Sequence, residues 1–165
     1  MATTYRTVFG SIDKHEKGTM EIINDDPKHY VYSNVFEVVG KAKPYEKIAV
    51  ARNLEYVIEA IRAEGRSRWM ACAHDEFVVV MDGEVEVELV KLRAGKESNG
   101  KAGTVLVDGE PQGPRMGRIK LRRGHQALLP KGAAYRFNAA RPSAMIQQTQ
   151  KGELTVEKWG EICYR

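Results

Sequence analysis

At 165 residues the chain is long enough to bury roughly 70% of its unfolded surface around one core and too short for two full domains. Its 42% hydrophobic and 29% charged residues, with 15 Gly and 6 Pro, exclude collagen-like, disordered and disulfide-scaffold classes. The net charge of +4 invites a nucleic-acid reading, but the basic run Arg115 to Arg123 has no interleaved aromatics on which bases would stack.

Met1 to Arg6 lacks an apolar leader, and no run approaches the ~18 apolar residues of a membrane span. A cytoplasmic location without membrane contact is therefore expected, with Cys72 and Cys163 kept as thiols. Short strands are predicted at Tyr30 to Val39, Glu46 to Ala51, Glu76 to Met81, Glu84 to Leu92, Thr104 to Val107, Arg118 to Leu121, Gln126 to Leu129, Ala144 to Thr149 and Leu154 to Lys158. Turn chemistry separates them, as in Asp82-Gly83, Arg123-Gly124 and Pro130-Lys131-Gly132. Segment 53–64 stays open: Leu54, Val57, Ile58 and Ile61 have helical spacing, while its surroundings favour a strand.

Glu84, Glu86 and Glu88 alternate with apolar residues, as do Arg118, Lys120 and Arg122. Paired antiparallel, the two segments form a ladder of opposite charges, a plainer use of the basic run than nucleic acid. Residues 94–117, rich in Gly, Lys and Pro, read as an insertion carrying a small hairpin. Many short strands without a repeated strand and helix alternation predict a mainly all-β fold, an antiparallel sandwich or barrel.

Two patterns carry the chemistry: Glu76, six residues, then Gly83; and Gly124, five residues, then Pro130-Lys131-Gly132. Together they resemble the paired motifs of the cupin superfamily, from about Glu55 to Ala140. The resemblance implies a small cupin-like β-barrel or jelly roll with N- and C-terminal extensions. One domain, 1–165, is expected: 1–45 as an N-terminal arm with flanking strands, 53–140 as the barrel motifs, and 141–165 as C-terminal strands.

In metal-binding cupins these motifs supply three histidines and a glutamate, a set suited to a divalent metal with open positions. The corresponding residues here are Met70, Cys72, Tyr135 and Glu76, so only the carboxylate survives. His74 lies two residues before Glu76; a makeshift Cys72, His74, Glu76 and Tyr135 site competes with a plain hydrogen bond between buried histidine and carboxylate. His125 reads as a turn residue. No catalytic residue and no metal ligand is assigned to the chain.

Beyond the motifs, segments such as YRTVFGSI, DDPKHYVYSNVFEVV, HDEFVVVMDGEVEVELVKL, MGRIKLRRGHQALLPKGAAYRF and VEKWGEIC resemble the small subunit of two-component hydroquinone 1,2-dioxygenases. That resemblance implies a chain with no cofactor of its own. It implies a large subunit that binds Fe(II) and cleaves hydroquinone to 4-hydroxymuconic semialdehyde, in a heterotetramer of two chains of each kind. It also implies a place in bacterial 4-nitrophenol and 4-hydroxyacetophenone degradation. Trp69, Tyr5 and Phe9 are then candidates for an aromatic wall lent to the partner's pocket, with core anchoring as the alternative for Trp69. Tyr30, Tyr32, Phe36, Tyr45, Trp159 and Tyr164 are candidates for a partner surface. The other functional readings are an autonomous cupin enzyme with an atypical metal site and a small-molecule binding cupin.

Overall fold

Asn34 breaks the first predicted strand. Its side chain accepts hydrogen bonds from the backbone N–H groups of Phe36 and Glu37, the pattern of a helix N-cap. Glu37 then pairs with Lys41 one turn later, at 2.8 Å. The result is helix α1 (Val35–Lys41), not the strand expected over Tyr30 to Val39. The computed structural model describes residues 10–16, 18–26, 29–93 and 100–162; Tyr5, Phe9, Cys163 and Tyr164 lie outside them.

Strands β1 (Lys47–Asn53) and β2 (Tyr56–Arg66) follow as a hairpin closed at Asn53 and Tyr56. Segment 53–64 is thus mostly strand, because Val57, Glu59, Ile61 and Ala63 alternate inward while Tyr56 and Ile58 face outward. Next come β3 (Met70–Cys72), β4 (Glu76–Asp82), β5 (Glu84–Lys91), β6 (Thr104–Leu106), β7 (Arg115–Arg122) and β8 (Gln126–Leu129). The long β9 (Ala133–Gln150), the short β10 (Thr155–Val156) and helix α2 (Trp159–Ile162) complete the order. The strand expected over Leu154 to Lys158 is cut to two residues, with Trp159 opening a helix.

Strand β9 holds the sheet together. Its first half pairs with β5 on one side and β3 on the other; its second half pairs with β4 and β2. Two wings result, β8-β4-β9-β2-β1-β10 and β7-β5-β9-β3-β6, and the sheet curls into a half-barrel. Between the wings lies a core that includes Ile61, Met70, Val78, Val80, Val87, Leu129, Phe137 and Met145. A second cluster on the outside places Val38 and Val39 of α1 on Ile48, Ala60 and Ala144. This is the cupin-like architecture expected from the two motifs.

The glycine of the first motif has a steric reason. Gly83 turns from β4 into β5 at φ 82°, and a Cβ there would lie 2.2 Å from the Ser143 hydroxyl. The charge ladder forms between antiparallel strands as expected, and its register sets Glu84 opposite Arg122, Glu86 opposite Lys120 and Glu88 opposite Arg118. Residues 104–106 do not form the small hairpin expected within 94–117. They pair with β3, whose edge offers the backbone groups they need. Phe36 and Tyr45, expected at a partner surface, are partly buried, Phe36 against the outer cluster and Tyr45 stacking on Phe137 with ring centroids 6.4 Å apart. Among the described residues no helix is long and apolar enough to cross a membrane.

Candidate functional site

The inner wall of the half-barrel carries a chain of buried polar side chains. Strand β4 begins with Glu76 pointing inward, and β9 brings Tyr135 and Gln147 to it. The Tyr135 hydroxyl donates to one Glu76 oxygen and the Thr104 hydroxyl to the other. Gln147 Nε2 donates to the Tyr135 oxygen at 3.0 Å. Lys47 Nζ donates to Gln147 Oε1 at 2.9 Å and to Glu59 Oε2 at 3.0 Å. Thr155 closes the chain by donating to the other Glu59 oxygen at 2.7 Å.

All but Thr155 are at most 3% exposed, so each polar atom depends on a protein partner. Lys47 and Glu59 compensate each other's charge, while Glu76 is held by two hydroxyl donors. Burial, and next the charge of Glu76, raise the Tyr135 phenol well above its ordinary value. The phenol therefore stays protonated and stays a donor.

His74 and Cys72 form a second branch. The backbone N–H of Gln150 donates to His74 Nε2 at 3.2 Å, so that nitrogen is the acceptor and the ring proton sits on Nδ1. Nδ1 faces Cys72 Sγ at 3.0 Å, and the thiol donates to the Gly103 carbonyl at 3.1 Å. Burial, followed by the charge of Glu76, pushes the Cys72 thiol up to about 11. The expected hydrogen bond between His74 and Glu76 is not what forms. The backbone bends at Ala73 and His74, turning the imidazole toward Thr149 and Gln150, while Glu76 finds Thr104 and Tyr135. The donor atoms of Cys72, His74 and Glu76 nonetheless lie within 4.8 Å of one another.

Catalytic iron needs anionic or neutral donors with free lone pairs and positions open to substrate. Here Met70, Cys72 and Tyr135 stand where imidazoles would be required, and Glu76 alone matches the expected set. The residues present do not suit Fe(II).

Trp69 lies on the opposite side of β3 from Met70, packed with Val90 and Ala134. Its indole N–H donates to Glu110 at 2.9 Å, and the Arg136 guanidinium sits 4.2 Å from the ring centroid. Only 5% of it is exposed, on a groove lined also by Arg66, Arg115 and Arg118. The structure thus gathers Met70, Cys72, His74, Glu76 and Tyr135 and leaves Trp69 elsewhere. His125 accepts from the Arg122 backbone N–H in the turn before β8, the turn role expected of it.

Lys47, Glu59, Thr104 and Gln147 belong to the interior chain without having been singled out from sequence. For Lys47 and Glu59 a signal exists: each is a charge inside an otherwise apolar strand, in KIAV and YVIEAI.

No protein-family model and no curated protein matches the chain. Among solved structures, the hydroquinone 1,2-dioxygenase PnpCD in complex with Cd2+ and 4-hydroxybenzonitrile contains a chain 53% identical to this one, with 100% of both chains covered and a TM-score of 0.91. The hydroquinone 1,2-dioxygenase of Sphingomonas sp. TTNP3 with 4-hydroxybenzoate bound is 54% identical over 98% of each chain, with a TM-score of 0.91. A longer chain, in PnpCD in complex with Fe3+, matches 82% of this chain with 37% of its own length at 9% identity and a TM-score of 0.63, a likeness of fold.

Proposed function

The chain belongs to the hydroquinone 1,2-dioxygenase family, and on that basis we propose that it is the small subunit of such an enzyme, without a catalytic metal of its own. As a member of this family it is a component of a ring-cleaving dioxygenase. In our reading a longer subunit holds Fe(II) and opens hydroquinone beside a hydroxyl group to 4-hydroxymuconic semialdehyde. Two chains of each kind assemble, in the cytoplasm, within degradation of 4-nitrophenol and related phenols. The 4-hydroxy compounds present in the two similar enzymes support a phenolic substrate.

The observation that carries this reading is the donor set. Ring cleavage with dioxygen requires a redox metal with open coordination positions, and around Glu76 this chain places Met70, Cys72 and Tyr135 in place of imidazoles. Tyr5 and Phe9 remain our candidates for an aromatic contribution to the partner's pocket. The surroundings of Trp69 favour anchoring.

A second reading, an autonomous enzyme with an atypical metal at Cys72, His74 and Glu76, is favoured by the 4.8 Å cluster of donor atoms. One experiment separates the two. The purified chain is assayed for metal and for ring cleavage with added Fe(II), alone and with the longer subunit. We expect no stoichiometric metal and no activity alone, and formation of the semialdehyde once the longer subunit is added. Turnover by this chain alone, lost in Glu76→Ala, would refute the small-subunit assignment.

A further inference from the structure

The two wings present outer faces of opposite character. On the β5-β7 wing the outer face carries the ladder of Glu84, Glu86 and Glu88 against Arg118, Lys120 and Arg122, a surface made for water. On the β2-β9-β4-β8 wing, strand register aligns Ile58, Gln148, Phe77 and Leu128 in one row across four strands. The next row holds Ala60, Ile146, Val79 and Gln126, with Tyr56 beside the first. None of these nine side chains is charged, in a protein with 29% charged residues. Leu128 is 56% exposed, Tyr56 48% and Ile58 38%, while Phe77, Val79 and Ile146 are half-buried.

Helix α1 covers only the end of this wing, over Ile48, Ala60 and Ala144. With strands about 4.8 Å apart and same-face residues about 6.7 Å apart, the rows other than Ala60 span on the order of 250 Å². Depletion of charge with aromatic and aliphatic enrichment marks the centre of a protein interface, whereas an ordinary solvated face alternates charge. A stable interface needs about 800 Å² from each partner. The rows alone fall well short of that for any partner, so the occupant must continue past them. PnpCD, which contains a chain similar to this one, also contains a longer chain with more surface to do so.

We infer that the outer face of the β2-β9-β4-β8 wing, centred on Ile58, Phe77 and Leu128, is the docking surface for the longer subunit, which meets it with an uncharged apolar surface. The inference rests on the small-subunit reading and locates its contact.

The test uses the full chain and its longer subunit. Ile58→Glu combined with Leu128→Glu places two charges in the rows at exposed positions; Lys120→Glu on the ladder face is the control. The expected result is at least a hundredfold weaker association for the double variant and unchanged association for the control, with far-UV circular dichroism and thermal midpoint of the isolated chains preserved. Independently, hydroxyl-radical labelling of Tyr56, Phe77 and Leu128 in the unaltered chain should drop on assembly. If the double variant assembles as tightly as wild type, or labelling is unchanged on assembly, this surface is wrong while the small-subunit reading stands. If wild type forms a dimer that the double variant loses while binding of the longer subunit persists, a second copy is the occupant and the inference fails. If wild type does not bind the longer subunit at all, both fail together.

Discussion

Tyr135 occupies the position of a metal-ligating histidine in the cupin pattern, and its hydroxyl serves instead as a donor to Glu76. Removing that hydroxyl by Tyr135→Phe leaves a buried carboxylate oxygen without its partner and costs about 1 to 3 kcal/mol. A urea melt that shows no loss would mean that the pair contributes nothing to folding. Cys72 makes a pH prediction. Its thiol is raised from 9.0 to about 11 in the folded chain, so the folded state keeps a proton that the unfolded state loses. Its stabilising contribution is complete below about pH 9 and is lost as pH rises toward 11; Tyr135 acts in the same direction. The thermal midpoint should therefore fall across that window, and Cys72→Ala should flatten the decline. Trp69→Ala removes a buried ring together with its contacts to Glu110 and Arg136, and should destabilise the chain by about 3 to 5 kcal/mol. Reduced turnover without lost stability would instead return Trp69 to the shared pocket.

Among the elements, the β1-β2 hairpin is locally disfavoured. Leu54 at its tip has φ 49°, a left-handed conformation that a side chain resists, and the side chain itself is 86% exposed. Leu54→Gly should raise stability by about 0.5 to 1 kcal/mol, read as a higher thermal midpoint, because glycine takes that conformation without penalty. Helix α1 teaches the reverse lesson. Its sequence contains alternation that suggests a strand, yet Val35, Val38 and Val39 also have the i, i+3, i+4 spacing of a helix face, and Asn34 supplies the cap. Capping together with the tertiary cover of Ile48 and Ala60 decided the outcome.

Across the whole molecule, the half-barrel divides labour between its faces. The interior is tied together by hydrogen bonds running from Thr104 to Thr155, the Lys47 ammonium among them, which fix the two wings to each other. One outer face carries paired charges and the other is uncharged. Glu88 shows that the charged face also ties strands together: the hydrogen bond from Arg136 holds its carboxyl below the ordinary range, with Arg66 adding to the effect. Its contribution is present above the ordinary carboxylate range and is lost as pH falls through the depressed value. In the proposed assembly, a longer chain would supply the metal that our reading does not place in this one.

Local pattern alone was enough for much of this molecule. Period-two alternation marked most strands, the glycines of the two motifs marked the turns after β4 and before β8 and β9, and charge complementarity predicted the antiparallel pairing of β5 with β7. These are properties of neighbouring residues or of a single strand pair, which is why they survive in one dimension. The departure from the cupin ligand set was equally visible at Met70, Cys72 and Tyr135. What replaced them was not, because Glu76 meets Thr104 and Tyr135 from 28 and 59 residues away, and Lys47 meets Gln147 from 100. Only the curling of β9 between the wings brings those groups within hydrogen-bond reach. The same folding, through the register of four strands, gathers Ile58, Phe77 and Leu128 onto one uncharged face.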